Sequence, residues 1–166
     1  MNAKQVDQTL LVPKPTGANE RGRVAMSSEE VDEFLNGPRT MTVSTVGPNG
    51  AIHSVAMWYG FFDGQVHMDA KSKSQKVLNL RRDPKITLLA HGGYMYDELH
   101  GVMVQGIATV TEDDDILRRI VQSIFTRYHG VEEPDADLVT RAIRNRVAIS
   151  VEPVKIASWD HRKLGR

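Results

Sequence analysis

The chain has no cysteine among its 166 residues, which excludes disulfides and thiolate zinc sites outright. It also lacks net charge, with 21 Lys plus Arg set against 21 Asp plus Glu. Bulk attraction to nucleic acid is therefore not expected, and any basic patch needs a local explanation. No apolar run approaches the ~20 residues that span a bilayer. The start Met1-Asn2-Ala3-Lys4-Gln5 offers only Leu10-Leu11-Val12 where a signal peptide carries its apolar core. These absences predict a cytoplasmic protein without membrane or nucleic-acid partners, one domain long and large enough to bury a core unaided. Catalytic signatures are missing as well. There is no Gly-x-Ser-x-Gly elbow, P-loop or Rossmann glycine pattern, and His53, His67, His91, His100, His129 and His161 include no pair at the close helical spacing of a metal motif. Neither a resident metal nor a protein nucleophile is expected.

What the chain does have is centred on Lys71-Ser72-Lys73-Ser74-Gln75-Lys76-Val77-Leu78-Asn79-Leu80-Arg81-Arg82-Asp83-Pro84. Before it, Gln65 to Ala70 alternates polar and apolar residues, the period of a half-buried strand. Within it, Val77 and Leu80 recur at helical spacing until Asp83-Pro84 stops the pattern. The cations thus fall on a strand-to-helix turn. Ser72 or Ser74 can cap the helix, and a helix start offers free N–H groups to an anion. Lysines near a helix start oppose the macrodipole and usually lie on a solvated face. Here, however, Lys71, Lys73 and Lys76 stand with no acid between Lys71 and Arg82, so they repel one another unless an anion arrives. The stretch reads as a phosphate cradle.

Residues 1–26 carry Pro13, Pro15, Gly17 and Gly22 without a sustained period and read as an N-terminal arm. Ser27 or Ser28 with Glu29 and Glu30 then starts a short amphipathic helix ending at Asn36-Gly37-Pro38. Alternation predicts strands over Thr40–Val46, Ala51–Phe62, Gln65–Ala70, Lys85–Ala90, Gly101–Val110 and from Arg146, with Pro153 marking an edge or a bulge. Helices are expected after Thr111 and from Pro134 to Arg144. Six strands, mostly sequence neighbours, suggest a closed or nearly closed antiparallel barrel, or an open sheet with helices on one face. Met57-Trp58-Tyr59 lies just across the hairpin from the cradle, where a planar ligand can run along the strand with its phosphate at the lysines. Ordinary core packing is the competing reading of those three residues.

Arg39-Thr40, Pro48-Asn49-Gly50, Met57-Trp58-Tyr59, Lys71 to Lys76, Asn79 to Pro84, Gly106-Ile107-Ala108 and Ser158 to Gly165 together resemble the split β-barrel flavin and deazaflavin oxidoreductases related to pyridoxamine 5'-phosphate oxidase. Among these the chain is most similar to the actinobacterial branch that uses the deazaflavin coenzyme F420. The resemblance covers residues 27–166 and implies an α+β, mainly β, fold: a six-stranded antiparallel split barrel of the FMN-binding type with peripheral helices. It implies a homodimer with coenzyme sites at the subunit interface, and direct hydride transfer to a small organic substrate without a catalytic protein residue. Carried onto this chain, the coenzyme contacts are His53, Ala56, Met57, Trp58, Tyr59, Lys71, Lys73, Ser74, Gln75 and Lys76, with Trp159 supplied by the partner. An FMN enzyme of the pyridoxamine-oxidase type and a non-catalytic carrier of F420 are the alternatives.

Overall fold

The computed structural model describes residues 20–165, so most of the expected arm lies outside the described residues. Its last part does not behave as an arm. A short helix α1 (Glu20–Val24) leads into the domain, Val24 and Met26 are buried, and the Met26 amide donates to Ser158 Oγ at 3.1 Å. Helix α2 (Ser28–Asn36) follows with the expected capping box between Ser27 and Glu30, and buries Val31, Phe34 and Leu35.

The strands β1 (Met41–Val46), β2 (Ile52–Met57), β3 (Gly60–Phe62), β4 (Gln65–Lys71), β5 (Lys85–Gly92), β6 (His100–Thr111) and β7 (Arg146–Asp160) form one antiparallel sheet in the order β2-β1-β5-β6-β7-β4-β3. It curls into a half-barrel of the split-barrel type. Period-two alternation puts Met41, Val43, Leu88, Ala90, Val102 and Val104 on one inner face, all buried. Of the edge or bulge expected at Pro153, the structure has the bulge. Gln105 pairs with Lys155 and Gly106 with Pro153, so Val154 is left over and faces solvent. Because β7 lies between β6 and β4, Pro153 marks that bulge and not an edge.

Strand number departs from expectation, at seven instead of six. The long second strand breaks at Trp58-Tyr59, since Tyr59 turns into the core with no exposed surface and its hydroxyl donates to the Leu35 carbonyl at 2.9 Å. The break is held from outside. Helix α4 (Asp114–Ile124) runs on into a π-helical turn over Phe125–His129, and Tyr128 Oη there accepts from the Tyr59 amide while donating to the Arg39 carbonyl. Arg127 of the same turn donates to the Leu35 and Gly37 carbonyls at the end of α2, with its guanidinium 4.3 Å from the Tyr59 ring. Helix α5 (Ala136–Ile143) packs on α4 through a second apolar cluster of Leu117, Ile120, Val121, Val139 and Ile143. Between β4 and β5, α3 (Gln75–Arg82) leans on β1.

Candidate functional site

The site grows from the end of β4. The Ser72 amide donates to the Asn145 carbonyl at 3.2 Å and the Ser74 amide to the Lys71 carbonyl at 2.9 Å, which folds the turn tightly onto the start of α3. Ser74 occupies the N-cap with the extended backbone of a capping residue, yet its hydroxyl makes no capping bond. That Oγ is buried and has no hydrogen-bond partner among the described residues. The first-turn N–H groups at Gln75, Lys76 and Val77 have no intrahelical acceptor and no side-chain cap. Among the described residues, Lys71, Lys73 and Lys76 make no ion pair.

A polar ladder fixes this helix against the sheet. Gln75 Nε2 donates to Asn79 Oδ1 at 2.8 Å, and Asn79 Nδ2 donates to Thr45 Oγ1 at 3.0 Å, with Asn79 and Thr45 both buried. Gln75 is therefore a support of the cradle as well as a wall of it. Downstream, Arg82 donates to the Val46 carbonyl and the Lys85 amide to Asp83 Oδ1. The Asn79-to-Pro84 run is the fastening of the helix. His53 lies on β2 directly opposite Thr45 and on the same face. Its Nδ1 is a second buried side-chain atom without a partner among the described residues.

Strand β2 is an edge of the sheet, paired with β1 on one side only. At its end, Ala56, Met57 and Trp58 border a cavity of about 380 Å³, walled across by Val121 and Phe125 and floored by Asp69 and Arg146. Trp58 is 47% exposed. Tyr128 stacks on it at 4.6 Å and 11°, and His129 meets its edge at 5.4 Å. The tryptophan is thereby a fixed platform with one accessible face. Tyr59 is different: its buried ring belongs to the core, so the expected coenzyme contact through that side chain is not available. Trp159 lies at the opposite end of β7 from the cradle, with its indole over Gly101, where an added Cβ would meet Trp159 Cζ2 at 2.6 Å. One protomer does not bring it to the other site residues.

Asp69 and Arg146 were not legible as site residues. Arg146 Nη1 donates to Asp69 Oδ2 at 2.6 Å, and the pair stands beside Lys76. Burial, then the Arg146 charge, pushes the Lys76 ammonium below its ordinary pKa, and Asp69 offsets this in part. The signal in the sequence was weak: Arg146 opens a strand, and only the register that sets it opposite Lys71 makes it a neighbour of the cradle. Taken together, two orphaned polar atoms, an uncapped helix start and four cations fit a phosphate-bearing ligand with a planar head along β2.

The fold is that of the split barrels, a class that includes binders of flavin and deazaflavin cofactors. The sequence model of pyridoxamine 5'-phosphate oxidase matches residues 27–160, and the chain belongs to that family, whose members are generally flavin or deazaflavin oxidoreductases. Among solved structures, a conserved hypothetical protein from Mycobacterium tuberculosis is 37% identical over 91% of this chain and 94% of its own, with a TM-score of 0.82. An F420 reductase superposes at a TM-score of 0.59 with 23% identity, over 75% of this chain and 94% of that one. A FAD-binding protein from Mesorhizobium loti reaches 0.61 with 15% identity, over 81% and 94%. The last two show the fold alone. No protein of curated function matches the sequence.

Proposed function

We propose that the protein is an F420-dependent oxidoreductase, a reductase that moves a hydride between the reduced deazaflavin and a small organic substrate. The observation that carries this reading is the uncapped, cation-ringed start of α3 with the unbonded Ser74 hydroxyl at its N-cap. When bound, the coenzyme supplies the hydride. The chain's own residues bind and orient. The Ser74 hydroxyl and the first-turn N–H groups of α3 would hold the phosphate, with Lys71, Lys73 and Lys76 neutralising it. The free edge of β2 from His53 to Trp58 would hold the ring system, and Val121, Ile124 and Phe125 would keep water from the face beside Trp58.

The reading takes the protein as a homodimer with coenzyme sites between subunits, and it gives Trp159 to the partner's site. In its support, Ile52, Ile107 and Val154 are 64%, 40% and 63% exposed on the outer sheet face. They surround a cavity lined by strand residues alone. Sedimentation at micromolar concentration should give a dimer, and a monomer there refutes this part.

Parallel titration with F420 and FMN, followed by fluorescence, tests the coenzyme. F420 should bind more tightly. Lys76→Ala should weaken it roughly tenfold to a hundredfold, the scale of one charge-assisted bond, without lowering the apo melting temperature. Tighter binding of FMN would favour the flavin alternative, and affinities equal within twofold in wild type and variant would remove Lys76 from the cradle.

A further inference from the structure

Beyond the cradle, on the side away from β2, lies a cavity of about 450 Å³ between the start of α4, the end of α5 and the start of β7. The helices dictate what faces it. In α4, Arg118 follows the buried Leu117; in α5, Thr140 follows the buried Val139, and Arg144 caps the helix just after the buried Ile143. Each therefore stands on the border of an apolar stripe. Since the stripes of α4 and α5 pack against each other, the two borders meet, and Arg118, Thr140 and Arg144 line one hollow. Its remaining wall adjoins the cradle at Ser72. Ser72 and Arg146 line the hollow, Asn145 ties the Ser72 amide, and Arg146 also floors the cavity that borders Ala56, Met57 and Trp58. Arg146 thus lines both cavities.

Charge is unbalanced here although the whole chain is neutral. Glu112 and Asp114 also line the hollow, but Glu112 pairs with Arg81 at 3.5 Å, as Arg146 pairs with Asp69. That leaves the Arg118 and Arg144 side chains, without hydrogen bond or ion pair among the described residues, facing Asp114 alone, with Lys71 and Lys73 on the adjoining turn. Two guanidiniums and a hydroxyl around a solvent-filled hollow are the donor set for carboxylates.

We infer that this hollow is a second anion subsite that takes the carboxylate-bearing tail of the coenzyme, entered from the phosphate cradle past Ser72 and Arg146. The inference rests on the F420 reading and adds to it a site for the part of the ligand beyond the phosphate. It distinguishes the two coenzyme classes physically, because FMN ends at its phosphate and leaves Arg118 and Arg144 unused.

The test is fluorescence titration of the full chain with two ligands: F420 carrying its glutamate tail, and the same deazaflavin phosphate without glutamates. In the wild type the tail should strengthen binding by about tenfold at low salt, a scale suited to two exposed ion pairs, and the advantage should fade near 1 M salt. Arg118→Gln with Arg144→Gln should bring the tailed form down to the tailless one while leaving the tailless affinity and the apo melting temperature unchanged. Asp114→Asn, which removes the opposing carboxylate, should strengthen the tailed form alone, a gain that misfolding cannot mimic. Equal wild-type affinity for the two forms, or a double variant that weakens both alike, overturns the subsite but not the cradle. Failure of the wild type to bind either form overturns the coenzyme reading and the subsite with it.

Discussion

Helices α3 and α4 each begin just after a strand, yet their N-termini are built in opposite ways. Helix α4 opens on Asp113, whose Oδ1 accepts from the amides of Asp115 and Ile116 at 2.9 and 3.1 Å, and its first turn carries Asp114 and Asp115. Helix α3 opens on Ser74, which caps nothing, with lysines where α4 has acids. Helices α2 and α5 follow the α4 plan, with Ser27 and Asp135 as side-chain caps and acids in the first turn. A cap of that kind is worth about 1 kcal/mol. A chain that caps its other long helices and leaves α3 open forgoes that stability at one place, as expected where an external anion completes the helix.

The strongest way to break the contrast is to give α3 the start that α4 has. Ser74→Asp should cap the helix and raise apo stability by about 0.5–1 kcal/mol, a rise of a few degrees in Tm at this chain length. The same carboxylate would occupy the place of the ligand's phosphate and repel it. Affinity for F420 should fall roughly a hundredfold or more. Opposite movement of melting temperature and affinity is the diagnostic outcome. If both fall together, Ser74 is a structural residue and the cradle lies elsewhere.

The complementary change is Asp113→Ala in α4. Loss of two capping bonds should cost about 1 kcal/mol, within the usual range of 0.5–2, and lower the Tm by about 2–4 °C. Coenzyme affinity should stay within twofold of wild type. An affinity change larger than the stability change would show that the two helix starts are not independent.

Much of this contrast was legible in the sequence. Ser27 with Glu30 reads as a capping box, and Lys71 to Lys76 on a strand-to-helix turn reads as an anion site, because both are local patterns within six residues. Alternation likewise places the strands, and Pro153 marks an edge or a bulge, of which the register gives the bulge at Val154. What sequence could not supply were the contacts set by register or by distant packing. The Asp69–Arg146 pair spans β4 and β7. The break at Trp58-Tyr59 depends on Tyr128 and Arg127, which lie 69 and 68 residues beyond Tyr59 in a π-helical turn that carries no sequence mark. For this reason alternation predicts one long second strand where the structure has two, and the Tyr59 ring faces the core.

The smallest effect expected is on pH dependence, and it contrasts two groups that burial pushes in the same direction. Lys76 and His67 both sit below their ordinary pKa, chiefly through desolvation. Lys76 has no hydrogen-bond partner among the described residues, whereas His67 is completed by its own fold: Nδ1 meets Ser150 Oγ at 2.9 Å, Nε2 meets the Phe62 carbonyl at 3.3 Å, and the ring stacks on Phe62 at 3.9 Å. Around it, the Phe62 carbonyl and Asp63 favour the charged form, while burial and Arg119 oppose it and prevail. The native ring therefore binds a proton less readily than the unfolded one, whose pKa is about 6.5. Stability from this site is complete above that value and is lost as pH falls below it toward the depressed native pKa. The depressed carboxylates of Glu30 and Asp160 act only lower, as pH falls from the ordinary carboxylate range of about 4. Melting curves of the apo protein from pH 7.5 to 5 should fall below pH 6.5 for the wild type. His67→Gln, which keeps polar atoms for Ser150 and the Phe62 carbonyl but does not titrate, should lower Tm at pH 7.5 and flatten the curve. A variant whose Tm falls as steeply with pH as that of wild type would place the titration on another group.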